Sequence, residues 1–447
     1  MTIHSDWSRI LHEECEEAFS KSAPQCALDI GVIDGHLQLM RLDARMETWE
    51  CFVRNQFLKP IQTLFNLGCP RVVLCFDNYG AVPVYKTMTQ TTRTSKYVIK
   101  NFGPQDELPQ KIPEDPMQYL MNRSFKLKLI EMLCDRIPAA VHLEEGQEFI
   151  LDYKRVVSYS MQMRIPSAMR DMETMGESDV KFCRYVSKYG NALVHAIDGD
   201  YMAIALLYYT QHDTHLRNQI FIYRQLSVLH PPPSKKRKLV AVEEEQLAFF
   251  KPSAPQHQQP PKCWVNMQLV YKVLSKAMRK GLKPDAAFAE KDAVFGAVFL
   301  MLLAGTDFSR NTPLLGPKRM WEALPRVGAA LLQSVDRREG TVDEAQVMDA
   351  VIARMYEQHY SKHVRCSPFF KTNFGLVLQS LQKSKLSEGT KLKLPSPERM
   401  LATLRNVRWV VKYWRTENGL VETPEDGHYG YARNRQGELT FVDLCRA

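Results

Sequence analysis

Two pairs of carboxylates, Glu177/Asp179 and Asp198/Asp200, fall within one stretch of the chain, Met175 to Tyr209. Asp29, Asp77 and Asp307 stand at or just beyond apolar runs elsewhere. Charge crowded at the mouth of a buried strand is unfavourable unless a metal ion or a basic partner compensates it. Carboxylates are the hard oxygen donors that Mg²⁺ prefers. Two such ions about 4 Å apart can activate a water and stabilise the leaving oxygen of an in-line displacement at phosphorus. Singly, each acid has a plainer use: Asp77 as a turn residue, Asp198-Gly199-Asp200 as a strand-to-helix cap, Glu177 as a partner of a helix dipole. Jointly they point to a metal site.

These acids need strands and helices that bring them together. The segment QCALDIGV (25–32) reads as a strand ending in Asp29, with a helix from about Gly35 and another over about 47–66. PRVVLCFDN (70–78) reads as a second strand ending in Asp77. The apolar run Ala192 to Ile197, ahead of Asp198, reads as a third and as a buried parallel one. Alternating strands and helices predict an α/β fold with a parallel sheet, whose ligand site lies at the carboxyl ends of the strands. Residues 80–140 are polar, basic and Pro-interrupted, and read as an insertion over those ends rather than as sheet. EFILDYKRVVSYSMQM (148–163) offers one more strand, and QIFIYRQL (219–226) another. The domain reading is a core over 1–226, a disordered basic linker over 227–262, a helical region over 263–390 and a C-terminal extension over 391–447. Trp409 and Trp414, at helical spacing, read as core.

Across 447 residues the formal net charge is +9, a mild preference for a polyanionic partner. Ten cysteines without a CxxC pair suggest neither a zinc site nor a disulfide framework. The amino-terminal residues lack the apolar core of a signal peptide. The longest apolar run, Ala293 to Gly305, falls short of the roughly 20 residues a bilayer requires. A soluble intracellular protein with no membrane partner is expected. Lys235, Lys236, Arg237 and Lys238 form a compact basic run beside prolines, the pattern of a nuclear import signal. QLAFFK (246–251) lacks the spacing of a sliding-clamp box, so a clamp partner is not supported.

The order and context of the acids resemble the flap-endonuclease/XPG family of structure-specific 5′ nucleases, with its PIN-like core. The segments that carry the resemblance are QCALD, VVLCFDN, GESDVK, HAIDGDYMAI and LLAGTDFSRNTPLLGPKRMWEAL, within roughly residues 24–325. The last is the most specific: an apolar helix, Gly305-Thr306-Asp307, then a Leu-Gly-Pro-Lys-Arg turn opening another helix. The resemblance implies a PIN-like parallel sheet flanked by helices, a helical insertion (arch) and a helix-turn-helix-like DNA-binding region. It implies a two-metal phosphodiesterase using Mg²⁺, with Mn²⁺ as a substitute. DNA with flaps or junctions is the implied partner, in replication or repair, with RNA the alternative. The metal ligands would be Asp29, Asp77, Glu177, Asp179, Asp198, Asp200 and Asp307, with Asp34 the alternative to Asp29. Lys86 and Arg93, two helical turns apart, would steady the scissile phosphate, with Lys96 as a stand-in. Gly316, Lys318 and Arg319 would grip the duplex backbone, with K⁺ at the turn. A Gly-Pro turn leading into a helix N-terminus rich in cations is, independently, an anion cradle.

Overall fold

The computed structural model describes residues 4–78, 98–162, 167–169, 176–196, 198–211, 217–225, 262–279, 290–305, 312–336, 341–361, 373–415, 431–433 and 439–441. One nine-stranded sheet organises them. In chain order its strands are β1 (Phe19–Ser20), β2 (Ile30–Asp34), β3 (Arg71–Cys75), β4 (Glu148–Asp152), β5 (Val156–Ser160), β6 (Ser167–Ala168), β7 (Ala192–His195), β8 (Ile220–Gln225) and β9 (Lys262–Asn266). Their spatial order is β1-β9-β8-β7-β2-β3-β4-β5-β6. The five central strands, β8-β7-β2-β3-β4, run parallel, and the outer ones pair antiparallel.

Alternation along the strands divides the core in two. Val32, Val73, Ile150, Val194 and Ile222 face one layer, and Ile33, Leu74, Leu151, Leu193 and Phe221 the other. All five residues of β2 are buried, as a central parallel strand covered on both faces demands. The helices that matter for the site are α1 (Gly35–Leu39), α2 (Lys59–Asn66), α3 (Arg123–Ala140), α4 (Ser178–Tyr189), α5 (Asp200–Gln211), α6 (Glu290–Leu303), α7 (Pro317–Gln333) and α8 (Pro397–Arg415). Helix α2 lies so close to β2 that a Cβ on Gly31 would stand 2.8 Å from Leu64 Cδ1. That glycine interrupts the apolar run in sequence without interrupting the strand.

The α/β parallel-sheet expectation holds, and four local expectations are corrected. The first strand begins at Ile30 and ends at Asp34, so Asp29 precedes it. Residues 123–140 do not belong to an insertion over the strand ends: Phe125, Leu129, Leu133 and Ile137 are buried against the sheet, making α3 the crossover from β3 to β4. Its lysines interrupt the apolar spacing and disguise that stripe. The segment 148–163 supplies two strands, the β4–β5 hairpin, rather than one. Finally, the chain after the basic segment returns as strand β9, antiparallel to β8, before turning helical. Trp409 and Trp414 are buried in the same core as α5 and α6, as expected for core aromatics. Residues 79–97, which hold Lys86, Arg93 and Lys96, lie outside the described residues, as do Asp307 and the run Lys235–Lys238. Among the described residues, no helix is long and apolar enough to cross a membrane.

Candidate functional site

The parallel pairing of β2 with β3 and β7 brings three strand ends to one edge of the sheet. Asp34 is the last residue of β2 and lies opposite Cys75, so Asp77 follows just past the end of β3. Asp34 also caps α1, accepting the Leu37 amide at 3.1 Å. The chain turns from strand to helix here because the next residue is glycine. A Cβ on Gly35 would meet the Phe76 ring at 2.7 Å and the Cys75 carbonyl oxygen at 2.8 Å.

Ser178 fastens the second wall to the first. Its amide donates to Asp77 Oδ1 at 2.9 Å, and its hydroxyl lies 2.7 Å from Asp77 Oδ1 and 3.3 Å from Asp34 Oδ1. A single hydroxyl proton serves both carboxylates only by sharing. Asn78 donates its amide to the Gly176 carbonyl at 2.5 Å, completing the seam. Glu177, the N-cap of α4, and Asp179, in its first turn, are thereby held beside Asp77. Asp200 opens α5, and Asp198 Oδ1 accepts the Asp200 amide at 3.2 Å. The rings of Phe182 and Tyr201, 5.4 Å apart, pack α4 on α5. Burial, followed by the negative charge of Asp34 and Asp179, holds the Tyr201 phenol well above its ordinary value, so it stays protonated.

Asp34, Asp77, Glu177, Asp179 and Asp200 are all buried, with Glu177 and Asp200 at 0% and 1% exposure, while Asp198 is half-buried. Glu177 Oε1, Asp179 Oδ1 and Asp200 Oδ2 accept no hydrogen bond, although each of these residues has an interaction of its own. Clustered, buried, all-oxygen donors suit a hard cation such as Mg²⁺. Among the described residues, however, no three His, Cys, Asp or Glu side chains form a group that could hold a metal ion.

Basic side chains adjoin Asp34 and Asp77. His36 Nδ1 is 3.6 Å from Asp77 Oδ2. Burial lowers the Lys126 ammonium below its usual range, and the charge of Asp77 opposes that shift. Burial likewise lowers Arg41, opposed by Tyr223 and Asp34. Beneath the site, Lys181 Nζ donates to the Phe76 carbonyl at 2.8 Å and to Asp152 Oδ1 at 2.7 Å. Tyr185 donates to Asp152 Oδ2 at 2.9 Å. Asp152 is thus fully engaged, and Lys181 fixes the strand end that carries Asp77.

Asp29 is not part of this cluster. Its Oδ2 accepts the Asn191 amide at 2.8 Å, at the amino ends of β2 and β7. Five residues of strand, roughly 16 Å, separate it from the cluster. Gly190, at φ +115°, makes room for it, since a Cβ there would stand 2.6 Å from Asp29 Oδ2. The alternative, Asp34, occupies the carboxyl end.

Gly316 lies between α6 and α7, and Pro317, Lys318 and Arg319 open α7. The Thr312 amide and hydroxyl bind the Leu303 carbonyl at 2.8 and 2.9 Å, tying the turn to the end of α6. Gly316 has open space where a Cβ would point. Lys318 and Arg319 are exposed on the first turn of α7. Lys318 lies 3.9 Å from Glu322, and Arg319 donates to the Leu314 carbonyl.

Sequence reasoning did not single out His36, Arg41, Lys126, Ser178, Lys181 or Tyr201. Ser178, Lys181 and Tyr201 lie inside the acidic motifs and could have been suspected there; Lys126 is brought to Asp77 only by the packing of α3. No protein-family model matches the chain, and no curated protein matches its sequence.

Proposed function

We propose that the chain is a divalent-metal-dependent 5′ nuclease acting on nucleic acid with flaps or single-strand/duplex junctions. The observation that supports this most is the seam at Ser178, which holds carboxylates from two strand ends and a helix start against one another in a buried place. Asp34, Asp77, Glu177, Asp179, Asp198 and Asp200 would hold the cations, with Asp307 completing the set. Such cations supply neutralisation of phosphodiester charge and activation of a water. Ser178 keeps Asp34 and Asp77 in fixed relation, and Lys181 keeps the Asp77 segment from relaxing away. Lys86 and Arg93 are the proposed phosphate-steadying pair, and Lys126 adds positive charge from α3.

A panel of 5′-labelled flap, nicked, bubble and single-stranded substrates, as matched DNA and RNA, tests this reading. Cleavage requiring Mg²⁺ and stopping with EDTA is the expected outcome. Binding without cleavage of any substrate would make the chain a non-catalytic nucleic-acid-binding protein. A DNA or RNA preference would fix the class of target.

The turn makes a separate prediction. Lys318→Glu/Arg319→Glu should weaken duplex binding and reduce the slope of log affinity against log salt by about 2, because each of the two cations would neutralise one phosphate. An unchanged slope would place the duplex elsewhere. Nuclear import through Lys235–Lys238 is also proposed: a tagged protein lacking the run should move out of the nucleus, and an unaltered distribution would reject it.

A further inference from the structure

Three aromatic side chains line up across neighbouring strands on one face of the sheet. His195 on β7 lies opposite Tyr223 on β8, and Tyr223 lies opposite Trp264 on β9. The first two rings stack, with centroids 5.0 Å apart and planes 20° apart. Tyr223 and Trp264 follow at 4.4 Å and 46°. Toward the other face, the adjoining Val194, Ile222 and Val265 are wholly buried. The three rings are only half-buried, with Trp264 packed against the edge of the core layer that holds Leu39, Leu64 and Leu129. A contiguous row of partly open aromatic rings offers flat faces on which planar groups can stack.

This row adjoins the carboxylate cluster. His195 pairs with Ile33, the residue before Asp34. Gln38 Nε2 lies 3.2 Å from His195 Nδ1, and Arg41 Nη1 donates to Gln38 Oε1 at 3.2 Å. The Arg41 guanidinium acts on both Asp34 and Tyr223. One short helix, α1 with its flanks, therefore connects the first acid of the cluster to the row. From β2 to β9 is three strand spacings, about 14 Å.

We propose that His195, Tyr223 and Trp264 form a stacking platform for the bases of a single strand whose backbone runs to the carboxylate cluster. Nucleobases fit the surface better than a protein segment does. Each base has a π face for the rings, an edge for the Gln38 amide, and a phosphate that gains from Arg41 and from the chain's net charge of +9. The inference rests on the nuclease reading for the direction of the strand, but its test does not.

The experiment titrates the full chain with a single-stranded oligothymidylate in Ca²⁺, following tryptophan fluorescence and the anisotropy of a labelled oligonucleotide. Wild-type protein should show quenching, and Trp264→Phe should lose that quenching while binding within about threefold of wild type, because the ring that stacks is retained. Trp264→Ala and Tyr223→Ala should each weaken binding by about 5- to 100-fold. The same oligonucleotide with abasic sites should bind wild type and Trp264→Ala alike. Quenching that persists in Trp264→Phe, or alanine variants that bind like wild type, would overturn the platform and leave its rings to residues of the chain itself. If an alanine variant fails to fold, the Trp264→Phe titration decides alone. Mg²⁺-dependent cleavage of the same oligonucleotide is scored in parallel. Cleavage with no role for Trp264 removes the platform and keeps the nuclease; quenching at Trp264 without cleavage does the reverse.

Discussion

Asp34→Asn should abolish the proposed Mg²⁺-stimulated cleavage, by at least about a thousandfold, while leaving the fold intact. The asparagine carbonyl can still accept the Leu37 amide and sit beside the Ser178 hydroxyl, so capping of α1 and the seam both survive. What would disappear is the negative charge of a buried carboxylate, and with it a proposed hard ligand. A thousandfold corresponds to about 4 kcal/mol of transition-state stabilisation, the scale expected when a catalytic cation loses a ligand. Like charges in a buried place repel, so without divalent ions the variant should melt at or slightly above wild type. Adding Mg²⁺ or Mn²⁺ should raise the melting temperature of wild type and not of the variant. Asp29→Asn is the control. It should retain cleavage, because Asp29 belongs to the amino ends of the strands, where it accepts the Asn191 amide. Loss of cleavage in Asp29→Asn with retention in Asp34→Asn would reverse the assignment of the first acid.

Lys181→Met should destabilise the protein by about 3–5 kcal/mol, the usual result of removing one partner of a buried ion pair. The pair is deeply enclosed: the Lys181 and Asp152 side chains are 1% and 5% exposed and 2.7 Å apart. Without Lys181, Asp152 keeps the Tyr185 hydroxyl but carries an uncompensated buried charge, and the Phe76 carbonyl loses its donor. Chemical denaturation of the variant measures the loss. Lys181→Met/Asp152→Asn should recover much of it, since the asparagine can still accept from Tyr185 without a charge. If the single variant were as stable as wild type, Lys181 would not be holding the floor of the site.

The parallel sheet was legible because its central strands are rich in apolar residues, with β3 and β7 followed by acids. Asp77, Asp198 and Asp200 announce themselves in that way. Asp34 was obscured by Gly31, which breaks the apolar run at the point where α2 needs room, and by QCAL, which is apolar without being strand. Strand β9 was obscured by its position between a polar segment and a helix, with only KCWVN to signal it. The approach of Lys126 to Asp77 could not be read from local pattern. Lys126 approaches Asp77 because Phe125, Leu129 and Leu133 press α3 onto the sheet, and that docking is a property of the packed core. The cross-strand pairing of His195, Tyr223 and Trp264 is equally invisible before register is known.

The central claim is that the acids at the carboxyl ends of β2, β3 and β7 form a divalent-cation site. Titration of Mn²⁺ into wild type and Asp34→Asn, with free ion followed by electron paramagnetic resonance, tests it most directly. Saturable binding of two ions by wild type, with at least one lost in Asp34→Asn, is the expected result. Identical curves for the two proteins, or no saturable binding to either, would contradict it.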